Sequence, residues 1–368
     1  MLVPRRPPRV LQIITDSFSA AEFVAPLVRY AAARGIESVI ACSGGCWTDA
    51  HSFVEPLRSQ HFDVREVAMP RQIAPIADLT AFWSLNRLLR SERFDLVHTH
   101  LATAGILGRL AAKLQGLPVV HSVHDYAFVE ATGSSRMLYY LAERLTASLS
   151  DRMLFVSEHE RQISIARRIG RPDRLLTTGW GVQIDRYTPA EAVSARSSAI
   201  ARRYGLPPEA LVLGTVARLI PRKGIDILLR AMAILAPRFS TLHLLIVGGG
   251  PLHAPLARLV AELGLNGRVT FTGFIDDPDE MPALYASMDI FCLPTRREGY
   301  GMAVAEAAAM GKPVIASDIP PVNSLVVPGV TGLLVPVDRP AALAAAVAQL
   351  LEDEPRRRAM GAQGRRFA

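Results

Sequence analysis

The nine residues Glu298-Gly-Tyr-Gly-Met-Ala-Val-Ala-Glu306 set two carboxylates around a run of small and apolar side chains. From Met302 to Met310 the run reads as a helix whose only charged residue is Glu306. A helix apolar on nearly every side is buried, and a buried carboxylate needs something to hydrogen-bond it. Glu298 precedes that helix in a loop with Gly299 and Gly301, where the backbone N–H groups around Tyr300, Met302 and Ala303 can approach a ligand closely. The segment offers an anion site at a helix N-terminus, flanked by two acceptors for hydroxyl groups. Phosphate plus hydroxyls suggests a nucleotide sugar. Spaced in this way, the two glutamates measure the length of such a ligand and do not make an acid–base dyad.

A second group lies earlier, in Ala217-Arg-Leu-Ile-Pro-Arg-Lys-Gly224. Lys223 is one of only three lysines in a chain that otherwise carries its positive charge on arginine. Arg218 and Lys223 follow a strand and Gly224 opens a helix, a pattern that suits a diphosphate; the ordinary alternative is a solvated loop. Gly248-Gly-Gly-Pro251 is a strand-to-helix turn that lacks the G-x-G-x-x-G spacing and an acidic residue for an adenosine ribose. Gly249 is read as lying near the nucleotide, and the backbone near Phe274 as its base contact.

Four histidines gather at strand ends in Val97-His-Thr-His100 and His121-Ser-Val-His-Asp125. His98 and His100 share a strand face and could hold a metal, but no third ligand is evident. The better reading is His124, beside Asp125, lining a sugar pocket, with His98 and His121 serving ordinary core hydrogen bonds. Asp277-Pro-Asp279 has the form of a D-x-D metal motif but sits where acidic residues cap helices, and capping is preferred. Asp16, just past the first strand, suits either a cap or a sugar contact.

The elements that must position these groups alternate. Val10–Thr15, Val39–Cys42, Leu96–Thr99, Val119–Val123 and Met153–Val156 read as strands between helices such as Ala21–Ala33 and Thr103–Leu114. The pattern restarts with Leu211–Val216, Leu242–Val247, Val269–Phe271, Ile290–Leu293 and Val314–Ala316. Such alternation predicts an α/β protein of two tandem Rossmann-like, doubly wound parallel-sheet domains around a central cleft. The turn-rich segment Thr177–Pro189 sets the boundary, giving domains 1–188 and 189–368.

A length of 368 residues fits two domains, and half of the residues are hydrophobic. No run reaches the roughly 18 to 20 apolar residues of a membrane span. The basic N-terminus leads straight into a strand and is not a signal peptide. Cys42, Cys46 and Cys292 make neither a disulfide framework nor a zinc motif, which fits a cytoplasmic protein. The net charge of +7 is spread along the chain. It favours phosphate ligands and an inner-leaflet membrane surface, a peripheral association, while nucleic acid is excluded by the lack of any reader motif.

In this order the motifs are specific. Phe94-Asp-Leu-Val-His-Thr-His100, Gly214-Thr-Val-Ala-Arg-Leu-Ile-Pro-Arg-Lys-Gly224, Val247-Gly-Gly-Gly-Pro251, Val269-Thr-Phe-Thr-Gly273, the Glu298–Glu306 segment and Pro313-Val-Ile-Ala-Ser-Asp318 resemble the retaining glycosyltransferases of family 4, or group 1. These have the two-Rossmann-domain GT-B fold, and the resemblance covers nearly the whole chain. It implies an acceptor-side first domain and a donor-binding second domain. Arg218 and Lys223 would bind the donor diphosphate, Glu298 the donor sugar hydroxyls and Glu306 the ribose. Backbone N–H groups at Tyr300–Ala303 would complete the cradle, and His124 would line the sugar site. The catalytic set is thus His124, Glu298, Arg218 and Lys223, with no metal and no cofactor.

The implied partners are a UDP- or GDP-linked hexose or N-acetylhexosamine and a glycan or polyprenyl-diphosphate-linked acceptor. Phe94–Phe128 is most similar to enzymes of exopolysaccharide, capsule or O-antigen biosynthesis. The chain departs from the family pattern at several points. Ser19-Ala20 stand for a Gly-Gly pair in the first loop, where backbone donors would still face a diphosphate. Pro320, Pro321 and Ser324 replace a Gly-Gly and a glutamate, and Trp180 replaces a hinge asparagine. The sequence stops at Ala368, where relatives continue into a helix returning to the first domain, so it is either trimmed or closed differently. These departures keep open a nucleotide-sugar-binding protein without transfer. An epimerase of the same fold lacks the glutamate segment, and a dehydrogenase is a weaker alternative still.

Overall fold

The computed structural model describes residues 6–45, 52–187, 199–275 and 277–368. The chain divides into two compact units, Met1–Gly179 and Trp180–Ala368. Of the segment expected as the boundary, Thr177 is the last residue of a strand, and Thr188 and Pro189 lie outside the described residues, as does Cys46.

The first unit is built on a parallel sheet of β1 (Arg9–Asp16), β2 (Glu37–Ser43), β3 (Asp63–Glu66), β4 (Leu96–His100), β5 (Val119–Val123), β6 (Arg152–Phe155) and β7 (Leu175–Thr177), ordered β3-β2-β1-β4-β5-β6-β7. Alternate residues of these strands feed different cores. Leu11, Ile13, Val39 and Ala41 pack with the helices Pro75–Ser91 and Ala102–Leu114, whereas Ile14, Ile40 and Cys42 pack with Val24, Val54 and Leu57. A strand buried on both faces is mostly apolar, with polar exceptions that find hydrogen-bond partners, and this explains the long apolar runs in the sequence.

The second unit repeats the plan with β8 (Leu211–Val216), β9 (Leu242–Val247), β10 (Val269–Phe271), β11 (Ile290–Leu293), β12 (Val314–Ser317) and β13 (Gly332–Val335), ordered β10-β9-β8-β11-β12-β13. The strands all run parallel, but the order in which they are added to the sheet reverses between β1 and β4 in one unit and between β8 and β11 in the other. Such a switch point leaves a crevice at the carboxyl ends of the two strands, where open α/β sheets take their ligands.

The strands β3, β7 and β13 were not expected from the sequence. They are edge strands of three or four residues: β3, Asp63-Val-Arg-Glu66, is of mixed polarity, and β7 and β13 hold apolar stretches of only two or three residues. The helix expected over Ala21–Ala33 is also broken up. A turn at Ser17–Ser19 leads into a π-helical turn at Ala20–Val24 and only then into Ala25–Ala32. Ala25 N–H reaches back to Ala20 O, and its neighbour Pro26 has no N–H with which to continue the α-helical ladder.

Candidate functional site

In the second unit the candidate residues come from the two strands that flank the switch point. Arg218 and Lys223 follow β8, and Glu298 and the Met302–Ala309 helix follow β11. The two loops are tied together by hydrogen bonds from one to the other. Arg296 N–H donates to Arg222 O at 2.6 Å, and Thr295 Oγ1 donates to the same carbonyl at 2.9 Å. The Arg296 guanidinium donates to Pro221 O at 2.5 Å, to Asp226 at 3.0 and 2.8 Å, and to Asp338 at 2.7 Å. Gly224 is required at this contact. It sits at φ +66°, and a Cβ there would fall 2.0 Å from Pro294 O.

The outcome of this bracing is an ion pair between Lys223 Nζ and Glu298 Oε1. The side chains keep 15% and 7% exposure, so the pair is largely withdrawn from water yet still reachable from the loop side. Desolvating a lysine and a carboxylate is costly, and their mutual attraction offsets part of that cost. Arg218 stands half-buried on the same loop. The Gly248–Gly250 turn closes over it: Leu219 N–H donates to Gly249 O at 2.9 Å and Leu252 N–H to Leu219 O at 3.0 Å. Phe274 packs beside Gly249, and Gly248 N–H donates to Gly273 O at 3.1 Å.

Gly301 caps the following helix at φ +106°, in the left-handed region. Its missing Cβ leaves room for Leu325 and Val322, which belong to the segment that follows Pro320-Pro321. The first N–H groups of a helix have no intrahelical acceptor and carry its positive end. Met302 and Ala303 therefore present donors at the switch point, and Gly299 and Tyr300 precede them. Tyr300 Oη–H donates to Trp180 O at 3.1 Å, which anchors the loop. At the other end the Arg365 guanidinium donates to Ala309 O, placing a cation at the helix C-terminus where the dipole favours it. Glu306 is buried, as the sequence predicts, and its partner is Tyr285, whose hydroxyl donates to Oε2 at 2.6 Å.

In the first unit, polar residues on β1, β4 and β5, with His124 just past β5, form a chain of contacts. Gln12 Oε1 lies 3.0 Å from His100 Nε2, and His100 Nδ1 lies 3.2 Å from His124 Nε2. His98 Nε2 lies 2.8 Å from Ser122 Oγ, and His121 Nδ1 lies 2.9 Å from Thr99 Oγ1. Burial holds His98 down at about 4. Burial, with His98 adding to it, holds His124 at about 3. His100 and His121 are likewise lowered by burial. All four rings are neutral near pH 7 and act as hydrogen-bonding groups, not charges. The metal alternative for His98 and His100 gains no third ligand: among the described residues no group of three or more His, Cys, Asp or Glu could hold an ion. Leu101, directly after this cluster, takes φ +63°, a strained conformation for a bulky residue.

In the loop after β1, Asp16 takes the capping role, one of the two that its position suits, and Ser19 differs from expectation. Asp16 acts as a helix cap, its Oδ1 accepting from Ser19 N–H at 2.9 Å. Asp16 Oδ2 accepts from Ser19 Oγ at 3.1 Å and from Arg71 Nη2 at 3.0 Å. The Ser19 N–H, expected to face a diphosphate, is committed to Asp16, and Ala20 is buried in the π turn. Asp277 also caps, its Oδ1 accepting from Asp279 N–H at 2.9 Å. Cys42 and Cys292 are buried free thiols, with burial pushing Cys42 up to about 12.

Sequence reasoning missed Arg296, Tyr285, Gln12 and Arg71. Of these Gln12 was findable, as the one polar residue inside the apolar strand Val10-Leu-Gln-Ile-Ile14. The partners of the others are set by tertiary packing alone.

Residues 197–367 match the family model of the glycosyl transferases group 1, and residues 20–181 match that of the glycosyl transferase 4-like domain. The chain is 33% identical over 308 residues to the D-inositol 3-phosphate glycosyltransferase of Thermobispora bispora, covering 77% of this chain and 70% of that one. The chain belongs to the group 1 glycosyl transferases. The enzyme of the same description from Salinispora tropica is 34% identical over 291 residues, a match that takes in 74% of this chain but only 59% of that relative's length.

Among solved structures, Anabaena Alr3699/HepE in complex with UDP and glucose superposes with a TM-score of 0.83 at 20% identity, over 98% of this chain and 94% of that one. Sucrose-phosphate synthase from Thermosynechococcus elongatus gives 0.81 at 23% identity, with the same coverage. At these identities the likeness establishes the fold, and that fold is GT-B.

Proposed function

We propose that the chain is a retaining glycosyltransferase that moves a hexose or N-acetylhexosamine from a UDP- or GDP-linked donor to an acceptor hydroxyl. The observation that carries this reading is the Lys223–Glu298 ion pair at the β8/β11 switch point, beside a helix N-terminus. A diphosphate leaving group gains charge as its bond to the sugar breaks. Arg218, Lys223 and the N–H groups at Tyr300–Ala303 would stabilise that charge without a metal, since they are in place before the reaction begins. Glu298 would accept from sugar hydroxyls and Glu306 from the ribose, with Tyr285 holding the Glu306 carboxylate in position. No carboxylate is placed as a glycosidase nucleophile, so the departing phosphate oxygen would take the acceptor's proton on the same face of the sugar.

The second unit would carry the donor and the first the acceptor. There His124 is a neutral ring, suited to a sugar hydroxyl. For the acceptor two chemistries are to be tested. The relatives named above act on D-inositol 3-phosphate by their description. A polyprenyl-diphosphate-linked glycan, as in cell-surface polysaccharide assembly, fits the net positive charge and would place the reaction at the inner-leaflet membrane surface. The engagement of Ser19 N–H by Asp16 favours a second reading, a protein that binds nucleotide sugars without transferring them.

The test is incubation with UDP- and GDP-linked sugars and each acceptor, with the anomeric configuration of the product read by proton NMR. Transfer with retention is expected. Inversion removes the same-face mechanism, and donor binding with neither transfer nor hydrolysis establishes the second reading.

A further inference from the structure

Of the 16 large apolar side chains exposed among the described residues, 9 lie on three helices of the first unit: Pro75–Ser91, Ala102–Leu114 and Gly133–Ala147. These helices are consecutive neighbours, the first packed on the second and the second on the third. The Asn86 side chain accepts from Gln115 at 3.0 Å and joins the first pair; Arg109 and Glu143, paired at 3.0 and 2.9 Å in the core, join the second. The exposed set includes Ile76, at 86%, with Leu79 and Trp83 on the first helix, Leu110 and Leu114 on the second, and Leu145, at 71%, on the third. An almost wholly apolar groove of about 630 Å³, lined by Leu79, Phe82, Leu107, Leu110 and Leu114, runs between the first two helices. Isolated exposed leucines are ordinary, but a contiguous patch of this kind marks an interaction surface.

The charge on the same helices identifies the occupant. Every exposed charged side chain on them is a cation: Arg87, Arg90, Lys113, Arg136 and Arg144. Their two acidic residues are withdrawn, Asp78 half-buried with its carboxylate accepting from Ala74 N–H and Glu143 in the core against Arg109. Arg87 and Arg90 flank Trp83 around an open hollow of about 540 Å³. Two copies of so uniformly cationic a face would repel one another. A surface of apolar side chains fringed by lysine and arginine matches the boundary between acyl chains and anionic headgroups. No described helix is long and apolar enough to cross a membrane, so the contact is with the surface.

We infer that this three-helix face docks the chain on an anionic phospholipid bilayer, with Ile76, Leu79, Trp83 and Leu145 entering the interface and the five cations contacting headgroups. It deepens the proposed reaction at a membrane surface, yet it rests on the first unit alone and is measured without sugar transfer.

The test is co-sedimentation of the full chain with vesicles of phosphatidylcholine, and of phosphatidylcholine mixed with phosphatidylglycerol, at low and high salt. Binding is expected only to the anionic vesicles, weakened by salt, with a blue shift in tryptophan fluorescence that Trp83→Phe removes. Joint Arg87→Gln, Arg90→Gln and Lys113→Gln substitution should weaken binding about a hundredfold. Leu79→Ser with Leu145→Ser should weaken it about tenfold. These residues are exposed, so the melting temperature serves as a check that the variants fold. Arg356→Gln with Arg358→Gln, in the second unit, should leave vesicle binding unchanged. Equal binding to both vesicle types, binding lost only in the second-unit variant, or self-association that buries Trp83 without lipid would each overturn the inference. Retained nucleotide binding in the vesicle-deficient variants separates this result from a failure of the donor site.

Discussion

Among the described residues two salt bridges keep both side chains largely withdrawn from water, one in each unit, and they differ in geometry and setting. Arg109 and Glu143 join two helices of the first unit, the single nitrogen Nη2 donating to both carboxylate oxygens, and have side-chain exposures of 0% and 3%. Arg109 Nε also donates to Gly105 O at 2.8 Å. A guanidinium keeps its charge and carries several donors on one rigid plane, so Nε can hold a carbonyl while Nη2 holds the carboxylate. Lys223 and Glu298 instead sit on loops at a switch point, meet through one oxygen, and remain partly open. A lysine is a compact charge with three donors on a flexible stem, able to turn from a carboxylate to a phosphate. The first pair holds helices in register. The second fastens two loops at the switch point of its sheet, where the proposed donor would bind.

Substitutions can break this contrast. The largest effect on stability is expected from Arg109→Leu, which strands the Glu143 charge in the core and should cost about 3–5 kcal/mol in urea unfolding. Adding Glu143→Leu should recover most of the loss, and neither variant should alter nucleotide affinity. Lys223→Ala reverses the pattern. Turnover of the donor should fall by about 10²- to 10³-fold, while unfolding shifts by only about 1–3 kcal/mol. If Lys223→Ala costs as much stability as Arg109→Leu and leaves turnover intact, the contrast is wrong.

The histidine cluster gives a pH test of the first unit. His98 and His124 have folded values of about 4 and about 3 against an ordinary 6.5, so the unfolded chain binds more protons than the folded one between those limits. Stability is therefore full above pH 6.5 and declines as pH falls toward those folded values. Each ring contributes a slope of up to about 1.4 kcal/mol per pH unit. His98→Gln should flatten the decline of melting temperature with acid. The smallest effect is expected from Tyr285→Phe. Loss of its hydrogen bond to Glu306 should weaken nucleoside diphosphate binding by about threefold to tenfold, read by calorimetry, with a modest fall in melting temperature because the buried carboxylate loses a donor.

Much of this arrangement could be read from the residues. The strands β5, β8, β9, β10 and β11 match the expected ranges residue for residue, because a strand covered on both faces is mostly apolar and begins and ends on apolar residues. Glu306 was legible as buried because it is the only charge in its helix, and the sequence order placed Arg218, Lys223 and Glu298 after strands. That Lys223 and Glu298 touch was not legible: 75 residues separate them, and their contact depends on Arg296 and Thr295 fastening one loop to the other. The Asp16–Ser19–Arg71 network was hidden for the same reason, with Arg71 in a loop that has no periodicity. The π turn at Ala20–Val24 had only Pro26 to announce it.

The claim that the Lys223–Glu298 pair marks a nucleoside diphosphate site is tested most directly by calorimetric titration of UDP and of GDP into the full chain and into its Lys223→Ala variant. Saturable binding of at least one nucleotide to the parent chain, weakened tenfold or more in the variant, is the predicted result. Equal affinity in the two proteins, or no binding of either nucleotide to the parent chain, would contradict it.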